Sequence, residues 1–120
     1  DGYDKKINER QIIEKEKFRI SLQRVLFELE FQFNKIKTHA DASYNAYVDK
    51  KKSSFSVNVR MERIRLDILE DIVRARDALA RTIMAPTILE EEEEEILKHL
   101  ESNAEKIRGR VDDARRKTTE

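Results

Sequence analysis

The chain has 120 residues, 42% of them charged, and its 25 Lys plus Arg balance 25 Asp plus Glu to a net charge of zero. That balance argues against a nucleic-acid binder, which carries a basic excess or a basic face. The absence of Cys excludes disulfides, zinc–thiolate sites and thiol catalysis, and two Gly with one Pro leave little turn-forming sequence.

The length suits one domain with a modest core. Apolar residues still make up 38%, and they recur at helical spacing, so the high charge does not signal disorder. No run approaches the ~20 apolar residues of a membrane span, and no signal peptide is visible. The chain starts at Asp1, and both ends lie in charged, helix-forming sequence. It therefore reads as a piece of a longer protein, with membrane contact expected only through segments outside it.

Helix one is expected over about residues 3–49. At 100° per residue, Phe18, Leu22, Val25, Leu29, Phe33, Ile36, Ala40, Tyr44 and Tyr47 fall on one stripe. Ile13, Ile20, Phe27 and Phe31 lie on roughly the opposite face. A helix that is apolar on two sides needs two partners. One comes from this chain, and the second set is assigned to an oligomer interface, with a homodimer or a neighbouring protein as the partner. The helix breaks near "DKKKSSFS", whose lysines suit the negative end of a helix dipole. A solvated turn is the plainer reading there. A membrane-surface or anion contact through Lys50, Lys51 and Lys52 is the weaker one.

Helix two, about 57–85, carries Val57, Met61, Ile64, Ile68, Ile72, Ala75, Leu79 and Ile83 on its stripe. Pro86 cannot continue a helix and biases Ala85 away from helical angles. Thr87 and Glu90 in "TILE" then read as a capping box opening helix three, about 88–118. The first glutamates of the run Glu90–Glu95 complement the dipole of that helix start. The later ones repel one another with no such return, which leaves a solvated acidic helix start as the plainer reading and a cation site or an acidic docking face as the functional ones. Leu97, Leu100, Ala104, Ile107, Val111 and Ala114 form a narrow heptad seam of the coiled-coil kind.

At ~1.5 Å per residue, helix one is about 70 Å long and the other two about 45 Å each. Folded up-down-up, its first ~15 residues overhang the others. Ile7, Ile12 and Ile13 in that overhang need cover, from a second subunit or a missing fourth helix.

Little chemistry is visible. No Gly-rich phosphate loop, nucleophile elbow or paired-His motif occurs, so no catalytic residue and no cofactor is assigned. His39 borders the apolar stripe of helix one. His99 follows Glu95 by four residues, and a metal held by Glu92, Glu95 and His99 is a remote alternative to plain solvated side chains. Tyr44 and Tyr47 pack with their hydroxyls at the bundle edge. Arg74, Arg76 and Arg81 sit off the main stripe. Solvated ion pairs account for them most simply, although Arg is the residue a carboxylate site would use.

The segment "RARDALARTIMAPTILEEEEEEILKHLESNAEKIRGRVDDARR" resembles the periplasmic four-helix-bundle sensor domains of bacterial chemoreceptors and related histidine kinases. In that family a helix with an Arg-x-x-x-x-Arg pattern ends in a short break, and an acidic or alanine-rich helix returns towards the membrane. The resemblance covers about Ile68–Lys117 and implies ligand-binding roles for Arg76 and Arg81 towards a small anion. The position of the family's third arginine is Ala85 here, and about 50 helical residues precede the helix that opens the family's domain.

The fold expected is all-α: an antiparallel bundle of three long helices, up-down-up, packed like a coiled coil and able to complete a four-helix bundle by dimerisation. The function expected is a non-catalytic, extracytoplasmic sensor that changes helix packing on ligand or partner binding. The alternative is a structural coiled-coil scaffold or protein-interaction module, spectrin-like in its layout.

Overall fold

A computed structural model describes the backbone of residues 2–50 and 55–119, and the side chains of residues 8–39 and 59–116. Three helices follow one another: α1 Gly2–Lys50, α2 Phe55–Met84 and α3 Glu91–Thr119. Among the described residues there is no strand. Each helix packs against both others, so the architecture is the all-α bundle that the periodicity implies. The molecule measures 73 × 21 × 17 Å. At ~1.5 Å per residue, α1 alone accounts for the long dimension.

Cross-links between the helices fix their directions. Lys15 meets Glu93 and Lys35 meets Asp112, so α1 and α3 ascend together. Asp71 meets Asn103 and Asp67 meets Arg110, so α2 descends as α3 ascends. The layout is therefore up-down-up.

The buried positions are regular. On α1 they are Lys15, Phe18, Leu22, Val25, Leu29, Gln32 and Ile36. On α2 they include Met61, Ile64, Ile68, Asp71, Ala75, Ala78 and Thr82. On α3, Glu93, Leu100, Ala104, Ile107, Val111 and Ala114 are buried, with Leu97 packed beside them. Steps of three and four residues alternate in all three sets, the repeat of a left-handed coiled-coil seam. Phe33 and Leu79 pack against this core from its margin. Ala40, Tyr44, Tyr47 and Val57 lie outside the described side chains.

Two expectations change. Ile83, placed on the core stripe of α2, is 74% exposed, because the seam passes through Ala78 and Thr82 instead. Thr82 is tolerated inside because its hydroxyl donates to the Leu79 carbonyl at 2.6 Å, satisfying itself locally. Helix three starts at Glu91, three residues beyond the expected position. Ala85 N–H still bonds the Arg81 carbonyl at 2.9 Å, closing the last turn of α2 before Pro86. The cap is then Glu90, not Thr87. The Glu90 carbonyl accepts from Glu93 and Glu94 N–H at 3.1 and 3.3 Å, and the Glu93 carboxylate reaches back to Glu90 N–H at 3.2 Å. The Thr87 box does not form; half of such a box, the Glu93 carboxylate on Glu90 N–H, stands one turn further along the chain. The displaced residues are used elsewhere: Leu89 packs on the core and the Ile88 carbonyl accepts a bond from α1.

Candidate functional site

Two groups among the described residues are left unsatisfied by the bundle. The first is the outer face of α1. With the core seam assigned to heptad positions a and d, Ile13, Ile20 and Phe27 fall at position f, directly opposite the core. They are 54%, 39% and 71% exposed, and neighbouring Phe31 is 52% exposed. The four residues expected at an oligomer interface therefore share one outward face of α1. Before Lys15, residues 8–14 are all exposed, Ile12 and Ile13 among them, which is the overhang that the helix lengths imply. Ile7 lies outside the described side chains.

Helix α2 shares this feature and α3 does not. Position f of α2 holds Val59, Leu66 and Val73, also exposed. Position f of α3 holds Glu95, Ser102, Gly109 and Arg116, an ordinary polar exterior.

The second group is the set of arginines. Arg76 donates to Glu30 of α1 at 2.9 Å, and Arg74 donates to Glu70 at 2.7 Å and to Asp71 at 3.4 Å. The side chain of Arg81 makes no ion pair or hydrogen bond with the described residues. It borders an open groove of ≈ 460 Å³ between α2 and α3, with Arg74, Asp77, Glu95 and His99 on the walls and Ala78, Ile96 and Leu100 beneath. Arg76 does not line this groove. The two arginines that the sequence pairs in one anion site are thus on different sides of α2: one bonded to α1, the other facing α3.

His99 enters a polar chain. Its Nε2 lies 3.2 Å from Asn103 Nδ2, and the same amide donates to Asp71 at 3.2 Å. Among the described residues no three His, Asp or Glu side chains gather as a metal site, so Glu92, Glu95 and His99 do not converge.

Sequence reasoning missed the polar groups inside the core. Lys15 is 2% exposed, and its ammonium donates to both oxygens of Glu93 at 2.7 and 2.8 Å and to the Ile88 carbonyl at 2.8 Å. Its three protons find three acceptors, as a buried ammonium requires. Glu93 is therefore the member of the glutamate run with a structural task, while its neighbours in 90–95 remain exposed. Gln32 is buried on α1 and donates to Glu28 at 3.2 Å, but its carbonyl oxygen finds no partner among the described residues.

Comparison with known proteins adds no relative: no family model, no curated protein and no solved structure matches the chain.

Proposed function

We propose that this chain is a non-catalytic assembly module, a three-helix bundle that joins a second copy of itself through the outer face of α1. The observation that carries the reading is the second apolar face of that helix, where Ile13, Ile20, Phe27 and Phe31 stand in solvent while its other face is fully packed. Scattered apolar side chains on a surface are ordinary, but Ile13, Ile20 and Phe27 recur every seven residues opposite the coiled-coil seam, a spacing that a second helix could follow. The mixed charge elsewhere suits a solvated exterior, and no helix among the described residues is long and apolar enough to cross a membrane.

The reading is tested by replacing Phe27 and Phe31 together with Ser and comparing sedimentation of the two proteins. Both side chains are outside the core, so helicity by circular dichroism is expected to stay unchanged while the variant sediments as a 14.3 kDa monomer. A variant with the wild-type mass would contradict it.

A second reading, ligand sensing of the chemoreceptor kind on the extracytoplasmic side of a membrane, draws its support from Arg81. An uncommitted guanidinium beside an apolar floor suits a small organic carboxylate, which needs one charge partner and one greasy surface. Arg76 is not part of this version of the site. A thermal-shift series with acetate, succinate and benzoate tests it: stabilisation that disappears in Arg81→Ala and survives in Arg76→Ala supports sensing, and no stabilisation of the wild type removes it.

A further inference from the structure

We infer that the two copies pair parallel and in register, α1 against α1, with the two-fold axis running along the helices. The inference rests on the assembly reading above and adds the orientation that the partner must take.

Apolar contact alone does not choose a direction. In a parallel pair Ile13 meets Ile13, Ile20 meets Ile20 and Phe27 meets Phe27. In an antiparallel pair centred on Ile20, Ile13 meets Phe27 at both ends, and comparable surface is covered. The flanks of the seam do choose. On a helix, position f lies between positions b and c. Along this seam the b positions are Glu9, Glu16, Gln23 and Glu30, and the c positions are Arg10, Lys17, Arg24 and Phe31. One margin is thus acidic and the other basic. When two such faces meet in parallel, the acidic margin of each copy lies against the basic margin of the other. When they meet antiparallel, acid faces acid and base faces base. Flanking charges set partner choice and orientation in coiled coils for this reason.

The basic margin is available. Arg10 and Arg24 make no ion pair with the described residues, and Lys17 has a single loose contact to Glu14 at 3.5 Å. On the acidic margin Glu16 is bonded to Arg19 and Glu30 to Arg76, both pairs exposed, and a carboxylate accepts further bonds beyond these. The outer seam of α2 is the control. Around Val59, Leu66 and Val73 its b positions are Glu62, Leu69 and Arg76, and its c positions are Arg63, Glu70 and Asp77. Each of its margins carries both signs, so it has no acidic side set against a basic one as α1 has. Parallel pairing also brings the two overhangs to the same end, where Ile13 of one copy lies against Ile13 of the other.

The lack of Cys makes the test direct. Ile13→Cys, Ile20→Cys and Phe27→Cys are made one at a time in the full chain and oxidised at a concentration where light scattering shows a dimer, with Ser102→Cys on α3 as the control. Parallel pairing puts each residue next to its own copy, so all three seam variants are expected to cross-link far faster than the control. Antiparallel pairing cross-links Ile20→Cys alone and joins Ile13→Cys to Phe27→Cys when the two are mixed. That outcome would overturn the orientation and leave the dimer standing. Mass of a monomer at every concentration would overturn both. Phe27→Lys provides a readout without oxidation: it is expected to weaken the dimer at least about tenfold by placing like charges face to face in the seam, and an unchanged dissociation constant would contradict the parallel seam.

Discussion

The ammonium of Lys15 and the carboxylate of Glu93 lie 2.7 Å apart inside the bundle, at the level where α3 begins. One contact joins three things: α1 to α3, the loop after Pro86 through the Ile88 carbonyl, and the capping box through Glu90 N–H. Lys15 also stands 5.9 Å from the centre of the Phe18 ring, the first apolar residue of the seam. Breaking a buried pair strands a charge, whereas replacing both members with apolar residues often does not destabilise at all. Lys15→Met and Glu93→Leu are each expected to cost about 3–5 kcal/mol. The double variant is expected to lie near the wild type, with some loss because Glu90 N–H then has no side-chain acceptor. Urea unfolding of the four proteins checks this, and equal losses in single and double variants would contradict it.

Gln32 presents the opposite case. Its amide oxygen is buried without a partner among the described residues, although its nitrogen reaches Glu28. Glu28 retains Arg108 at 2.8 Å when Gln32 is removed. Gln32→Leu is therefore expected to raise stability by about 1–2 kcal/mol, since an unsatisfied buried acceptor costs that much and the apolar replacement fills a core heptad position. A chemical denaturation midpoint that falls would show that the oxygen is satisfied in solution.

Gly109 lies on the polar outside of α3, and an added Cβ there meets nothing within 4 Å. In a helix interior Gly gives away about 0.5–1 kcal/mol relative to Ala, through the freedom of the unfolded chain. Gly109→Ala is expected to recover that amount in thermal unfolding, without change in oligomeric mass.

His39 supplies the pH dependence. Its burial, with Arg115 nearby, holds its pKa below the ordinary 6.5. The folded protein thus takes up the proton less readily than the unfolded chain does. Stability is full above the unfolded value and is lost as pH falls from about 6.5 towards the lower folded value, where the loss levels off. Unfolding free energies measured down this range are expected to decline, and His39→Gln is expected to flatten the decline. An equal slope in the variant would assign the effect to other groups.

Much of this architecture was legible in the residues. Phe18, Leu22, Val25, Leu29 and Ile36 and the run from Leu100 to Ala114 are buried where helical spacing puts them, and α2 ends just before Pro86. Apolar counting could not register polar core residues. Stepping the three-four rhythm back from Phe18 lands on Lys15, and forward from Leu29 lands on Gln32, so the signal lay in the period and not in the residue type. Ile83 lies off the core because the helical stripe through Ile72 and Leu79 drifts away from the heptad, which passes through Asp71, Ala78 and Thr82. The shift of the cap from Thr87 to Glu90 depends on Lys15 reaching the loop, a contact 73 residues apart in the chain. The separation of Arg76 from Arg81 likewise depends on which neighbour each side of α2 meets, and local sequence holds no record of that.

The central claim is that the outer face of α1 is a subunit contact, and mass in solution tests it most directly. Light scattering across a concentration series is expected to rise from the 14.3 kDa of one chain to twice that value, with Phe27→Ser/Phe31→Ser held at the lower figure. A wild-type protein that stays at the mass of a single chain at every concentration would contradict it.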